Sequence, residues 1–174
     1  MASTERVLAL GPEHLAGCLA LSASANWNQN EADWRLMLQL GRGWGLALGD
    51  EMRGGTLAAS TILLPYCAFA WVSMVLVLPA HRGRGYATTL LDVALAESEK
   101  HHLTLVLDAT PAGHEVYAQQ GFRDTWGFRR YALAREPARA EPVAGVSVRP
   151  LREADWPQLL ALDASAFGAS REPL

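Results

Sequence analysis

The sequence predicts an α/β (α+β) fold, a central sheet that contains an antiparallel meander and is flanked by helices, and three observations carry that prediction. Residues 44–48, 56–64 and 69–78 are apolar, β-branched runs separated by turn segments at 49–55 and at Pro65-Tyr66. Residues 12–24, 31–40 and 84–100 instead place apolar side chains three and four apart, the spacing of a helix that buries one face. The stretch from Val75 to Ala87, finally, runs from an apolar strand through a glycine and arginine turn straight into one of those helices.

Taken in order, residues 6–10 read as a first strand. Gly11-Pro12-Glu13 then opens a helix to about Ser24, with proline and an acid where a helix start favours them, and Leu15, Cys18, Leu19 and Ser22 share one face. Residues 26–29 form a loop with aromatic content. Residues 31–40 make a second helix with an apolar stripe at Trp34, Met37 and Leu38, stopped by Gly41-Arg42-Gly43. The meander follows. Beyond the turn, Ala87, Leu90, Leu91, Ala94 and Leu95 form the buried stripe of the helix over 84–100. Residues 103–107 are a strand short and apolar enough to be central. Residues 111–120 are a short helix closed by Gly121, and residues 122–133 alternate into a final strand pair. A linker with Pro137 and Pro142 covers 135–145.

A chain of 174 residues, half of them apolar, is long enough for one domain with a real core and an appendage. The formal net charge of -3 makes any basic site a local feature and argues against broad nucleic-acid binding. Cys18 and Cys67 are too few for a disulfide framework and lack zinc-ligand spacing, so both are read as reduced and no metal is expected. The start has no long apolar segment, and no apolar run reaches the ~18 residues a membrane span needs. A cytoplasmic protein without a membrane partner is expected.

The turn at residues 82–87 is a candidate anion site. Backbone N–H groups at a helix start have no partners within the helix and point the same way, toward the positive end of its dipole. Gly83 and Gly85 allow a close approach, and Arg82 and Arg84 add charge. Neither the P-loop pattern nor the dinucleotide glycine pattern is present. A solvated arginine and glycine loop is the plainer alternative.

Arg82-x-x-Gly85-x-Ala87, directly after a strand that ends at Pro79, resembles the acetyl-CoA pyrophosphate motif of the GCN5-related N-acetyltransferases (GNAT). About thirty residues on, Tyr117-x-x-x-Gly121-Phe122 matches the family's second signature, and the resemblance covers residues 5–133. It implies the GNAT fold, with a mixed central sheet, and a reaction in which acetyl-CoA and a small-molecule or peptide amine meet in one ternary complex. The cosubstrate contacts it implies are Val75, Leu76, Val77, Arg82, Gly83, Arg84, Gly85, Tyr86, Ala87 and Thr110. A backbone N–H near Val75 or Leu76, where two parallel strands splay, would meet the developing oxyanion. Thr110 and Gly113 depart from the usual asparagine and alanine.

Tyr117 reads by itself as a core aromatic, and by the resemblance as the general acid that protonates the departing thiolate. The resemblance also puts Asn26, Trp27 and Asn28 at the acceptor pocket, although an aromatic loop equally makes a hydrophobic plug. His114, one turn before Tyr117, is either a base or, the preferred reading, a polar residue at the helix rim; it is counted with the substrate-side candidates. Glu31 and Asp33 read as helix-start acids. The alternative to an enzyme is a non-catalytic acyl-CoA-binding sensor or scaffold module.

An offset of 141 places Val7, Leu10, Leu19, Ala20, Leu21, Ala23, Ser24 and Ala25 on Val148, Leu151, Leu160, Ala161, Leu162, Ala164, Ser165 and Ala166. Either this is a second copy beginning or two alanine and leucine helices align by chance. The wording around Asp108 resembles the tandem branch of the family. The expected division is 1–134 as the acetyltransferase domain, 135–145 as the linker and 146–174 as a strand and helix of a second, incomplete unit. That unit should bury Leu151, Trp156, Leu159, Leu160, Leu162 and Phe167 on the first domain or, making a homo-oligomer, on a second copy.

Overall fold

The computed structural model describes residues 5–49, 55–129, 131–136, 141 and 143–173. Strands β1 (Glu5–Leu10), β2 (Arg42–Leu48), β3 (Thr56–Tyr66), β4 (Phe69–Val77) and β5 (Thr104–Val106) form one sheet in sequence order. The first four pair antiparallel, and β5 pairs parallel to β4. Helices α1 (Leu15–Ser24) and α2 (Glu31–Leu40) precede the meander. Helices α3 (Tyr86–Lys100) and α4 (Pro111–Gln119) bracket β5, and α5 (Trp156–Phe167) lies near the end. This is the expected mixed sheet with its meander. No helix among the described residues is long and apolar enough to cross a membrane.

The sheet divides the apolar side chains between its two faces. Leu10, Cys18, Leu21, Trp34, Ile62, Met74 and Leu76 form the core beneath α1 and α2. Leu46, Ala58, Ala59, Tyr86 and Leu90, with Leu63, Ala70, Val72 and Leu91, form the core beneath α3 and α4. Two polar groups set α2. The buried Trp34 Nε1 donates to Ser22 Oγ at 2.8 Å and ties it to α1. Asn30 Oδ1 accepts from the Ala32 and Asp33 N–H groups while Asp33 accepts from the Asn30 N–H. That reciprocal cap makes Asp33 a helix-start acid, and Glu31 is used in a pair with Arg35 four residues on.

Three expectations need correction. Strand β5 is not central: among the described residues it pairs only with β4. The final strand pair is absent, since described residues 122–129 and 131–136 have no strand and leave Trp126 74 % and Tyr131 84 % exposed. A ladder of three residues on β5 offers few hydrogen bonds to template further strands. The strand expected ahead of the last helix is likewise absent, and Leu151, Trp156, Leu159 and Leu162 stand exposed rather than docked on the first domain. The helix itself is present and docks through Phe167, which packs against Tyr66, Phe69 and Trp71.

Candidate active site

Strand β4 carries two irregularities in six residues. Between the pairs Ile62↔Ser73 and Ser60↔Leu76, Met74 and Val75 on β4 oppose Thr61 alone on β3, which is a β-bulge. Met74 adopts φ 50°, a left-handed value that costs a residue with a β-carbon, and Ser60 Oγ holds the bulge by donating to the Met74 carbonyl at 2.8 Å. The extra residue flips the alternation. Before it Ala70 and Val72 face α3, and after it Val75 and Val77 do, while Met74 and Leu76 face α1 and α2.

The second irregularity is the parting of the two parallel strands. Pairing runs through Phe69↔Thr104, Ala70↔Leu105 and Trp71↔Val106 and then stops, although β4 continues to Val77. Residues 72–77 therefore present an edge without a ladder partner on that side among the described residues. That unpaired edge carries Val75, Leu76 and Val77, three of the predicted residues.

At its far end the chain turns through a short 3-10 helix at Pro79–His81 and enters α3. Gly83 (φ 74°) and Gly85 (φ 80°) both take left-handed backbone, and a β-carbon built on either meets no protein atom within 4 Å. The turn thus needs glycine for its conformation, and the space over it is clear. No side chain caps α3, whose first internal bond runs from the Thr89 N–H to the Gly85 carbonyl. The N–H groups of Tyr86, Ala87 and Thr88 precede that bond at the positive end of the helix dipole. Arg82 folds back so that its Nε donates to the Val77 carbonyl at 3.2 Å. Tyr86 turns inward and donates its hydroxyl to Glu5 Oε1 at 2.5 Å.

Tyr117 lies on α4 and packs, like Val75, against the cluster of Leu63, Ala70, Val72 and Leu91. Burial pushes its phenol pKa up from the ordinary value, so it is protonated at neutral pH. A β-carbon on Gly113 would come within 2.8 Å of the Tyr117 ring, so glycine at 113 lets the ring lie back along the helix. The spacing to Gly121-Phe122 has a physical cause as well. Phe122 N–H bonds the Tyr117 carbonyl, Gly121 N–H bonds that of Ala118, Gly121 takes φ 89°, and the Tyr117 and Phe122 rings meet edge to face at 6.0 Å. Those are the parts of a Schellman helix stop.

The other predicted residues lie apart from this opening or are otherwise engaged. Thr110 caps α4, its Oγ1 accepting from the Gly113 N–H at 3.2 Å. His114 is exposed and pairs through Nε2 with Asp124 Oδ1 at 2.9 Å, a rim position with no hydrogen bond to Tyr117. Asn26, Trp27 and Asn28 join α1 to α2, on the opposite side of the sheet from α3 and α4, and all are exposed. Cys18 is fully buried, with its thiol pushed up to about 12 by burial, and Cys67 is exposed. Sequence reasoning missed Ser60, Met74, Glu5 and Asp124. Only the glycine and arginine turn left a readable signal, because a bulge within an unbroken apolar run changes no residue type.

Residues 41–124, from the start of β2 through α4 to Asp124, match the family model for the acetyltransferase (GNAT) domain. Over that stretch the chain matches the GNAT family. It is 23 % identical over 171 residues to YitH of Bacillus subtilis, an uncharacterized N-acetyltransferase, covering 98 % of this chain and 58 % of the relative. Its fold superposes on a candidate acetyltransferase from Pyrococcus horikoshii at TM-score 0.71 and 18 % identity, over 97 % of this chain and 59 % of that one. A Trypanosoma brucei acetyltransferase matches at TM-score 0.62 and 18 % identity, over 75 % of this chain and all of that one. The chain thus spans a little under three fifths of the Bacillus relative. The bulge, the end of the parallel pairing and the glycine turn all lie within the matched stretch, on or directly after β4.

Proposed function

We propose that this chain is an acetyl-CoA-dependent N-acetyltransferase that passes an acyl group to a primary amine in a ternary complex. One observation carries the reading: the β4 edge loses its parallel partner after Trp71, bulges at Met74 and leads within twelve residues into a helix start without a side-chain cap, preceded by Arg82 and Arg84. The pyrophosphate would rest on the N–H groups of the turn, with Gly83 and Gly85 keeping the approach clear. The pantetheine arm would lie along Val75, Leu76 and Val77, replacing the ladder bonds that β5 does not supply. Its thioester carbonyl would meet a β4 N–H beside the bulge, placed where negative charge develops.

The neutral amine attacks the carbonyl carbon and the C–S bond breaks; the amine nitrogen gives up one proton to water, the thiolate takes one from a protein donor, and that donor is reprotonated from water. Tyr117 is the proposed donor of that second proton, since it is protonated at neutral pH and packs against the same cluster as Val75. No metal enters the scheme. The acceptor would come from the side of α1 and α2, where Asn26, Trp27 and Asn28 are exposed. Residues 1–134 are read as the acetyltransferase unit and 135–145 as a connector, with a second copy of the chain as the proposed partner of the exposed apolar side of 146–173.

The helix stop around Tyr117 favours a second reading, a sensor that binds acyl-CoA without turnover, because the spacing of Tyr117, Gly121 and Phe122 is accounted for by capping alone. Acetyl-CoA titration followed by thiol release across a panel of primary amines decides between the two. Binding with amine-dependent thiol release supports the enzyme. Binding with no release across the panel supports the sensor, and no binding removes both.

A further inference from the structure

A cavity of about 280 Å³ lies at the hairpin end of the sheet, lined by Arg42, Leu63, Pro65, Cys67, His101 and Leu103. Arg42 opens β2 opposite Leu63, Cys67 stands in the turn between β3 and β4, and His101 and Leu103 join α3 to β5. The turn over 82–87 follows the other end of β4. At about 30 Å³ for each, the space would take about nine waters, so it suits a small molecule and not a cosubstrate of the size of acetyl-CoA.

The polar wall of this cavity is a cluster of basic groups around one carboxylate. Glu97, on the last turn of α3, pairs with Arg42, with Lys100 at 3.2 Å and with His101 at 3.2 Å. Its side chain is only 14 % exposed, whereas all three partners reach solvent. Lys100 and His101 stand at the carboxyl end of α3, where cations offset the helix dipole. Arg42 comes from another element and is not placed there by the helix.

His101 Nε2 also lies 2.8 Å from Arg42 Nη1. A guanidinium only donates, so that contact requires a bare Nε2, whereas a bond to Glu97 requires Nε2 to carry a hydrogen. One nitrogen cannot do both. The neutral ring takes the Arg42 contact. The protonated ring donates to Glu97 and meets Arg42 as a second cation, which drives the guanidinium off toward the cavity that it already lines.

We propose that this cavity is a second ligand site, for a small carboxylate with an apolar body, and that Arg42 turns to the carboxylate as a protonated His101 takes its place on Glu97. The guanidinium fork matches a carboxylate, and Leu63, Pro65 and Leu103 give the body an apolar seat. The charged groups around His101 are Arg42 from β2 and Glu97 and Lys100 from α3, and Cys67 of the hairpin turn shares the cavity. The site stands independently of the acetyl-CoA reading.

The test is titration of the full chain with isovalerate, read by calorimetry, beside isovaleramide, which lacks the charge, and inorganic phosphate, which lacks the apolar body. Isovalerate should bind with roughly millimolar affinity, about tenfold or more tighter than either control. Arg42→Gln should weaken it about tenfold or more. Affinity should rise about tenfold from pH 8 to pH 6, because the bound state carries the extra proton on His101, and His101→Gln should remove that rise. Gly85→Glu should bind isovalerate as the parent does, which separates the cavity from the turn over 82–87. No binding, equal binding of isovaleramide or phosphate, binding that survives Arg42→Gln, an affinity that does not rise toward pH 6, or binding lost in Gly85→Glu each overturns the proposal. Where circular dichroism shows Arg42→Gln unfolded, His101→Gln carries the test, since it leaves the guanidinium in place, and a rise toward pH 6 that persists in it overturns the proposal as well.

Discussion

Gly85 holds φ 80° at the head of α3, a value that costs a residue with a β-carbon about 1–2 kcal/mol. Gly85→Glu adds a negative charge at the same place, so acetyl-CoA binding should disappear in calorimetry while circular dichroism shows a folded chain of lower midpoint; normal binding would put the site elsewhere. Tyr117→Phe keeps the packing with Phe122 and should leave cosubstrate affinity intact while lowering turnover ~100-fold or more, the scale of a lost general acid. An unchanged rate would leave Tyr117 only its part in the helix stop. Cys18 gives a pH signature. The unfolded chain releases the thiol proton near 9.0 and the folded chain near 12, so between those values the folded state binds more protons and stability falls as pH rises. Urea midpoints followed from pH 8 to 11 should show that fall, and Cys18→Ala should flatten it. These residues were legible because each belongs to a spacing or to a residue type with few uses. Tyr86 and Glu5 were not, since a contact between residues 81 positions apart leaves no local pattern.

The elements were legible wherever the chain's own periodicity decides them. The meander, the strand before the turn and all of α1 to α4 follow from apolar spacing and from Gly or Pro boundaries, and they differ from expectation by a few residues at their ends. The bulge in β4 escaped because Phe69–Val77 is apolar on both sides of Ser73 and carries no residue that marks an insertion, and only the partner strand reveals the extra residue. Ser60 is its keystone. Ser60→Ala removes the side-chain donor to the Met74 carbonyl and should cost about 1–3 kcal/mol in urea unfolding, the range for a buried polar group left unpaired. Turnover should fall with it, and an unchanged stability would show that the bulge holds without that bond. The strands expected over 122–133 failed for the opposite reason. Their alternation is real, but a strand needs a neighbour, and the three-residue β5 is a poor one.

At the scale of the molecule, the last helix is attached by a small aromatic seat. Phe167 meets Tyr66 at 5.0 Å, Phe69 at 5.6 Å and Trp71 at 6.1 Å between ring centroids, and the Arg171 guanidinium covers its other side at 4.3 Å. Arg171 is itself held by Asp163 on α5, whose carboxyl it keeps below the usual range. Most of the remaining apolar side chains of 151–162 stay in solvent, so among the described residues of α5 Phe167 is the main apolar anchor. Phe167→Ala should therefore detach the helix while leaving the sheet folded, because Tyr66, Phe69 and Trp71 sit at the hairpin end of β3 and β4, the end away from the turn over 82–87. Limited proteolysis should cut the variant within 135–155 several times faster than the parent, while far-ultraviolet dichroism and acetyl-CoA affinity stay close to the parent's. Equal cutting rates would mean that other contacts hold α5, and a loss of acetyl-CoA affinity would mean that the seat and the turn are coupled through β4.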